Sequence, residues 1–439
     1  MTPATEDNRS KFSFSQLGPG LLMAGAAIGV SHLVQSTRAG AMYGWGALIF
    51  VLLANLMKYP FYEYGHRYAA ASGQNLIQAY RQQGKRFFVP FMIISAISAV
   101  GSFAVDAFVA AMLLQYLWLP QVSATTLAIA VLLFCWGLIA VGRYRLFEQV
   151  TKWCVILLSV ATVAAVVMAV STTVTRLLAE PVTNNFSSRA LEVAYATIDK
   201  RGSIFSLEAL PFVIAFMGWM PGGLELSVWQ SLWVQADGQD SGEAASMAEA
   251  SFDFNFGYAL TVVLACLFLV LGTLTLPEQG MAEEPAAFAG QLVGMYTSYI
   301  GAWAEPVIGL CAIAAIFSTT FTVVDAFPRT LEAGIHELWP SVRESTLPIR
   351  GAIAFTLIVL AALLLSLFTA GFEPLINTIT IIAFVFAPFY AWLNIRSIRT
   401  LPLETQPKPW LLRLATVGLI YLAGFSLVFI LFQFGSGLI

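Results

Sequence analysis

The stretch Gly18 to Trp45, GPGLLMAGAAIGVSHLVQSTRAGAMYGW, is long and apolar enough to enter a membrane, yet it is interrupted at its middle. Apolar residues run from Leu21 to Ile28. Then Gly29, Ser31, His32, Gln35, Ser36, Thr37 and Arg38 fall where a spanning helix ordinarily carries Leu and Val. An unpaired peptide group in hydrocarbon is so costly that non-helical backbone at membrane depth survives only where it is buried in protein or lines a wet cavity. In secondary transporters such breaks come in pairs, one per structural repeat, and hold the substrate near the midplane. A second interruption is present in Phe212 to Val234, FVIAFMGWMPGGLELSVWQSLWV, where Gly218, Pro221, Gly222 and Gly223 sit in the middle of another apolar run.

Composition agrees with a membrane solvent. Of the 439 residues 58% are hydrophobic and 11% charged, and the mean hydropathy is +0.77. Soluble domains carry roughly 25% charged residues, so this chain cannot cover a water-facing surface. A net charge of −3 excludes nucleic acid as a partner, because that partner requires clustered Lys and Arg to replace counterions. Cys135, Cys154, Cys266 and Cys311 lie far apart in apolar segments and read as packing residues. The polar N-terminus lacks the apolar core of a signal peptide. No paired-carboxylate catalytic motif, Ser-His-Asp set or phosphate loop is visible, so the sequence points away from an enzyme and implies no cofactor.

Runs of about 20 apolar residues divide the chain into eleven spans: 17–38, 44–66, 88–118, 122–142, 146–171, 206–234, 255–278, 299–328, 350–371, 374–395 and 411–435. The longest connection is polar and separates five spans from six. The expected organisation is a cytoplasmic tail over 1–16, a five-helix repeat over 17–171, an extracytoplasmic loop over 172–205, a second five-helix repeat over 206–395, and an eleventh helix with the C-terminus over 396–439. Lys and Arg cluster in alternate connections, among them Arg81, Lys85, Arg86, Arg143, Arg145, Arg396 and Arg399. By the positive-inside rule they place the N-terminus in the cytoplasm and the C-terminus outside. The expected setting is a bacterial inner membrane. Asn185-Phe186-Ser187 matches a glycosylation sequon on the outer side, a pattern too short to inform.

These residues also carry a resemblance. GPGLL followed by RAGAMYGW resembles the first helix of the Nramp family of proton-coupled divalent-metal transporters. SGQNLIQAYRQ is similar to the connection after the family's second helix. Met220-Pro221 falls at the Met-Pro of its broken sixth helix, and FSTTFT at 317–322 resembles a motif of its eighth. The resemblance implies an all-α polytopic protein of the LeuT type, with two inverted five-helix repeats, broken helices 1 and 6, and an eleventh helix. It also marks departures. Where family metal transporters carry Asp-Pro-Gly-Asn at the first break, this chain has Gly29, Val30, Ser31 and His32. The family's thioether remains as Met220, while the His that follows Met-Pro is here Gly222. Of the acidic pair that the family carries in helix 3, only Asp106 is found.

The substrate-binding candidates are therefore Gly29, Ser31, His32, Met220, Gly222 and Gly223. Bare N–H groups at the start of the second half of helix 6 attract anions. With the aspartate missing, they favour a small anion such as bicarbonate, symported with a proton or sodium ion. Glu225, Asp106 and His32 are the candidates for coupling, because ionisable groups inside a membrane are costly. The bland alternatives are a packed imidazole bonded to a carbonyl for His32, a partner for Arg38 in Glu225, and glycines that only permit close packing. Arg38 itself is expected to snorkel to the interface. Trp219 and Trp229 are expected to be packing or interface residues, and Asp325 and Arg329 an i,i+4 ion pair. Two other functions stay open: a proton-coupled transporter of manganese, iron or magnesium, with Met220, His32 and carbonyls near Ala26 as ligands, and a non-transporting receptor or scaffold.

Overall fold

A computed structural model describes residues 18–141, 144–179, 203–241, 246–276, 282, 284–344, 349–368 and 371–435. The first span is α1 (Pro19–Ala27), a π-helical turn (Val30–Ser36) and α2 (Thr37–Tyr43); α3 (Leu48–Ser72) is the second. After the short α4 (Leu76–Gln82), α5 (Lys85–Leu117), α6 (Ala124–Val141) and α7 (Tyr144–Ala179) complete the first repeat. The sixth span is α8 (Leu210–Gly218) and α9 (Glu225–Ser241), followed by α10 (Met247–Thr275). Next come α11 (Pro285–Ile300), α12 (Glu305–Leu338), α13 (Ile349–Leu367), α14 (Phe372–Ile398) and the eleventh span, α15 (Pro409–Gly435).

Nine of the described helical runs are long and apolar enough to cross a membrane. One of them, Leu22–Ser72, contains the first two spans, and the sixth is absent because its halves are short. The breaks thus reconcile nine runs with eleven spans. Two details differ from the sequence reading. Helix α7 continues to Ala179, past the expected loop boundary at 172, and the connection after span 7 contains α11. The tail 1–16, the sequon 185–187 and most of the loop 172–205 lie outside the described residues.

The two repeats begin alike. Helices α1, PGLLMAGAA, and α8, LPFVIAFMG, are each nine residues long with a proline in the first turn, where its missing N–H costs nothing. Each then stops in the middle of the protein. After Ile28, whose N–H still bonds Ala24 O at 2.8 Å, Gly29 leaves helical geometry at φ −94°, ψ −124°. In the sixth span Pro221 has no N–H to continue the ladder, and helix resumes only at Glu225.

Packing brings the two breaks together. Helix α5 crosses α12, α14 lies on α8, α9 lies on α3, and α10 supports α1 and α2. The approach at α8 is close enough to require glycine, because a Cβ at Gly218 would lie 1.9 Å from Thr380 O. Asp253 of α10 accepts from the N–H groups of Gly18 (3.2 Å) and Gly20 (2.5 Å), which ties down the start of α1. Outward, α13 and α15 expose Leu363, Leu367, Ile420 and Leu431, the apolar surface that lipid requires. Asp325 and Arg329 form the expected ion pair at 2.9 Å.

Candidate functional site

Between the breaks lies a cavity of about 40 Å³, lined by Ala26, Val30 and Ser31 from the first span and by Trp219, Pro221, Gly222, Gly223, Glu225, Leu226 and Trp229 from the sixth. Ser102 and Asp106 of α5, with Thr319 and Val323 of α12, complete it. One water needs roughly 10–15 Å³ on this measure. The space therefore suits a small ion with one or two waters.

Of the sequence candidates, Ser31, Gly222, Gly223, Glu225, Asp106 and Ala26 share this wall; Gly29, His32 and Met220 do not. Gly29 is instead a contact point. A Cβ there would fall 2.2 Å from Thr319 Oγ1. His32 is fully buried, with Nε2 2.9 Å from Thr261 O and Nδ1 2.7 Å from Ser31 Oγ. A carbonyl only accepts, so Nε2 is assigned the proton, and the ring cross-links the first break to α10. Met220 is fully buried between Trp219 and Pro221, which line the cavity while it does not. The soft ligands of the metal alternative are therefore both off the wall.

Ser31 joins the breaks. Its hydroxyl lies 2.5 Å from Ala27 O and 3.2 Å from Pro221 O, with one proton to share among these and His32. Trp219 and Trp229, expected to be only packing or interface residues, both line the cavity. The Trp229 ring is held edge-on to Phe327 at 4.8 Å, and its Nε1 is buried without a hydrogen-bond partner among the described residues. Arg38 does not snorkel. It is buried, ion-paired with Glu373, and bonded to Gln35 (3.0 Å) and Asn377 (3.3 Å), so it ties the first span to α14.

Two carboxyls define the electrostatics. Asp106 is 3% exposed, and it makes no hydrogen bond or ion pair among the described residues. Glu225 is 6% exposed and begins α9. A Cβ on Gly223 would lie 2.2 and 2.3 Å from its two carboxylate oxygens. Glu225 therefore folds back over the glycine N–H end, where an anion was expected to sit. No Lys, Arg or His is among the lining residues. The wall also includes Ala26, in the last turn of α1, where carbonyls lose their helical partners and the helix dipole is negative.

Sequence reasoning missed the residues behind the wall. Lys58 of α3 is fully buried, and its Nζ donates to Met217 O (2.7 Å), Gly218 O (2.8 Å) and Gly222 O (3.0 Å). Tyr62, one turn on, donates to Gly222 O at 2.6 Å and reaches Gly223 O at 3.1 Å. The signal was available, since Lys58 is a charge within the span 44–66.

A multi-span membrane protein with a small cavity between the breaks of its first and sixth spans has the architecture of the LeuT-type transporters. The profile of the family described as natural resistance-associated macrophage protein-like (Nramp) matches residues 20–432, and the chain belongs to that family. Protein PM0681 of Pasteurella multocida is 34% identical over 440 residues, covering 99% of this chain and 96% of its own. The divalent metal cation transporter MntH of Staphylococcus saprophyticus is 26% identical over 324 residues, 72% of this chain and 67% of its own. The fold is similar to that of the Eremococcus coleocola manganese transporter, with a TM-score of 0.67 at 14% identity, over 97% of this chain and 88% of that one.

Proposed function

We propose that this transporter carries a divalent metal cation together with protons, bound in the cavity between the two breaks. The observation that carries this reading is the pair Asp106 and Glu225 in a wall that has no basic side chain. The remaining donors are hydroxyls and backbone carbonyls, all oxygen, which suits hard cations such as magnesium or manganese that keep part of their water. With two carboxyls in one small cavity, one can ligate the cation while the other takes a proton. The name of the Staphylococcus relative supports the same class of substrate. The Lys and Arg distribution further supports a cytoplasmic N-terminus, and the bacterial sources of the relatives support a bacterial plasma membrane.

Bicarbonate, the substrate that the bare helix end suggests, finds that end covered by Glu225. The wall does offer an anion the Trp229 Nε1–H, unpartnered among the described residues, and hydroxyl donors such as Ser102. Uptake into proteoliposomes decides between the two. We expect saturable manganese or magnesium uptake driven by an inward proton gradient and no bicarbonate uptake above empty vesicles. Bicarbonate uptake without metal uptake would overturn the proposal.

A further inference from the structure

An ammonium group has three donors and no acceptor, and at Lys58 all three are used, at 2.7, 2.8 and 3.0 Å, on the carbonyls of Met217, Gly218 and Gly222. Two of these carbonyls end α8, and the third lies within the break, past Pro221. The cluster therefore ties the end of α8 to the segment that leads into α9, at the negative end of a helix dipole. Lys58 makes no ion pair among the described residues, and it does not line the cavity. A simple cap for α8 would be met more cheaply by a neutral amide or hydroxyl, because a charge inside a membrane protein carries a steep desolvation cost. What a neutral cap cannot do is gather three carbonyl oxygens around one positive centre, which is the arrangement of a monovalent-cation site.

The geometry points to Lys58 as a tethered cation that fills a three-carbonyl cation site at the break of the sixth span, so that no free alkali or ammonium ion is needed there to hold the two halves in register. Two consequences follow from the contacts. Transport is independent of sodium and potassium at this position. The Gly222 carbonyl, taken by Lys58 and by Tyr62, is withdrawn from the substrate. Both hold whatever ion the cavity carries.

The test empties the cage. In Lys58→Ala the shortened side chain leaves the three carbonyls facing a vacant volume, whereas in Lys58→Met an uncharged stem still fills it. Melting is compared in choline, sodium, ammonium and methylammonium chloride, which requires no knowledge of the substrate. We expect ammonium or methylammonium to raise the Tm of Lys58→Ala by about 3 °C or more over choline, and to leave wild type and Lys58→Met unmoved. Manganese uptake, taken as a ratio to wild type in the same buffer so that any loss of the proton gradient cancels, should fall at least about tenfold in both variants. It should recover only in Lys58→Ala with the small ammonium ions. An unchanged melting temperature of Lys58→Ala across the four salts overturns the inference, as does wild-type behaviour of Lys58→Met. A Lys58→Ala protein that cannot be recovered folded even in ammonium chloride also counts against it, because an open cage must accept the free ion. If neither protein takes up manganese, the proposed substrate fails while the melting comparison still stands.

Discussion

At the break in the first span the side chains nearest the gap are neutral: Ser31 and the His32 ring bond to each other, and Thr319 Oγ1 reaches across to Gly25 O at 3.0 Å. At the break in the sixth span the protein places a charge on either side, the Lys58 ammonium on the carbonyl end of α8 and the Glu225 carboxyl over the amide end of α9. A free helix end is a ligand for an ion only while nothing in the protein satisfies it. By that criterion the sixth span is already answered by its own neighbours, and at the first span Thr319 and Ser31 take the carbonyls of Gly25 and Ala27, which leaves Ala26 on the cavity wall. On the proposed cation reading, selectivity would rest on the carboxyls that converge on the gap, and less on the bare backbone.

The most damaging change to this arrangement is loss of a carboxyl. Two unit charges about 4 Å apart interact by roughly 4 kcal/mol at an effective dielectric near 20. If relaxation removes half of that, about 2 kcal/mol remains, or roughly 30-fold in affinity. Asp106→Asn and Glu225→Gln should each lower manganese uptake at subsaturating metal by at least that factor. Glu225→Gln is also the sharper probe, because it removes the negative charge over the amide end of α9 while keeping the volume of the side chain. A variant that gains bicarbonate uptake while wild type has none would show that Glu225 is what excludes anions.

Glycine substitutions compare the two breaks as packing sites. A methyl at Gly218 meets a backbone carbonyl at 1.9 Å, whereas at Gly29 it meets the side chain of Thr319 at 2.2 Å. Overpacking typically costs about 1–3 kcal/mol, and a side chain can rotate away where backbone cannot. Gly218→Ala should therefore lower the melting temperature more than Gly29→Ala does, and pairing Gly29→Ala with Thr319→Ala, which removes the Oγ1 that the methyl meets, should recover part of the loss. Equal losses at the two positions would show that α12 is as fixed against the first break as α14 is against the sixth.

How much of this could be read from residues alone varies with the kind of contact. Both breaks were visible, since Gly29 to Arg38 and Gly218 to Gly223 violate the apolar pattern of a spanning helix and hydropathy registers the violation directly. The shared wall of Ser31, Gly222, Gly223 and Glu225 follows from the pairing of broken helices, whereas Asp106, on the unbroken α5, is pointed to only by the family resemblance. Which way a side chain faces was not legible. His32 and Met220 sit within a few residues of the wall, but the rotation of the chain at each break turns them into the protein. Lys58 was passed over because its meaning depends on carbonyls about 160 positions away in sequence. Glu225 is legible in the sequence as an ionisable group near the second break, yet only its position over Gly223 shows that it fills the place that the anion was to occupy.

His32 gives a smaller effect. Removing its ring ends two hydrogen bonds, one to the Thr261 carbonyl, which keeps its place in the α10 ladder, and one to Ser31 Oγ, a loss of about 1–3 kcal/mol for the two together. His32→Asn should therefore melt at lower temperature but keep its KM for manganese within about threefold, because uniform substrate binding is not what the ring supplies. A rise in KM of more than tenfold with unchanged melting would place His32 on the ion after all, and the comparison of neutral and charged breaks would have to be redrawn.

The smallest expected effect falls on the residue that most resembles a family ligand. Met220 sits at the Met-Pro of the sixth span, and a thioether is the donor that distinguishes soft from hard metals. In this protein Trp219 and Pro221 face the cavity, and Met220 between them is buried elsewhere. Met220→Leu conserves volume, so its cost in stability should stay below about 1.5 kcal/mol. A wall made only of oxygen donors gains nothing from sulfur, so the ratio of cadmium to magnesium competition against manganese uptake should be the same in Met220→Leu and wild type. If that ratio instead falls about tenfold, with magnesium competition unchanged, the sulfur does reach the ion during transport. The sixth break would then turn far enough to replace an oxygen ligand with a thioether, and the carbonyls held by Lys58 would have to open in the same movement.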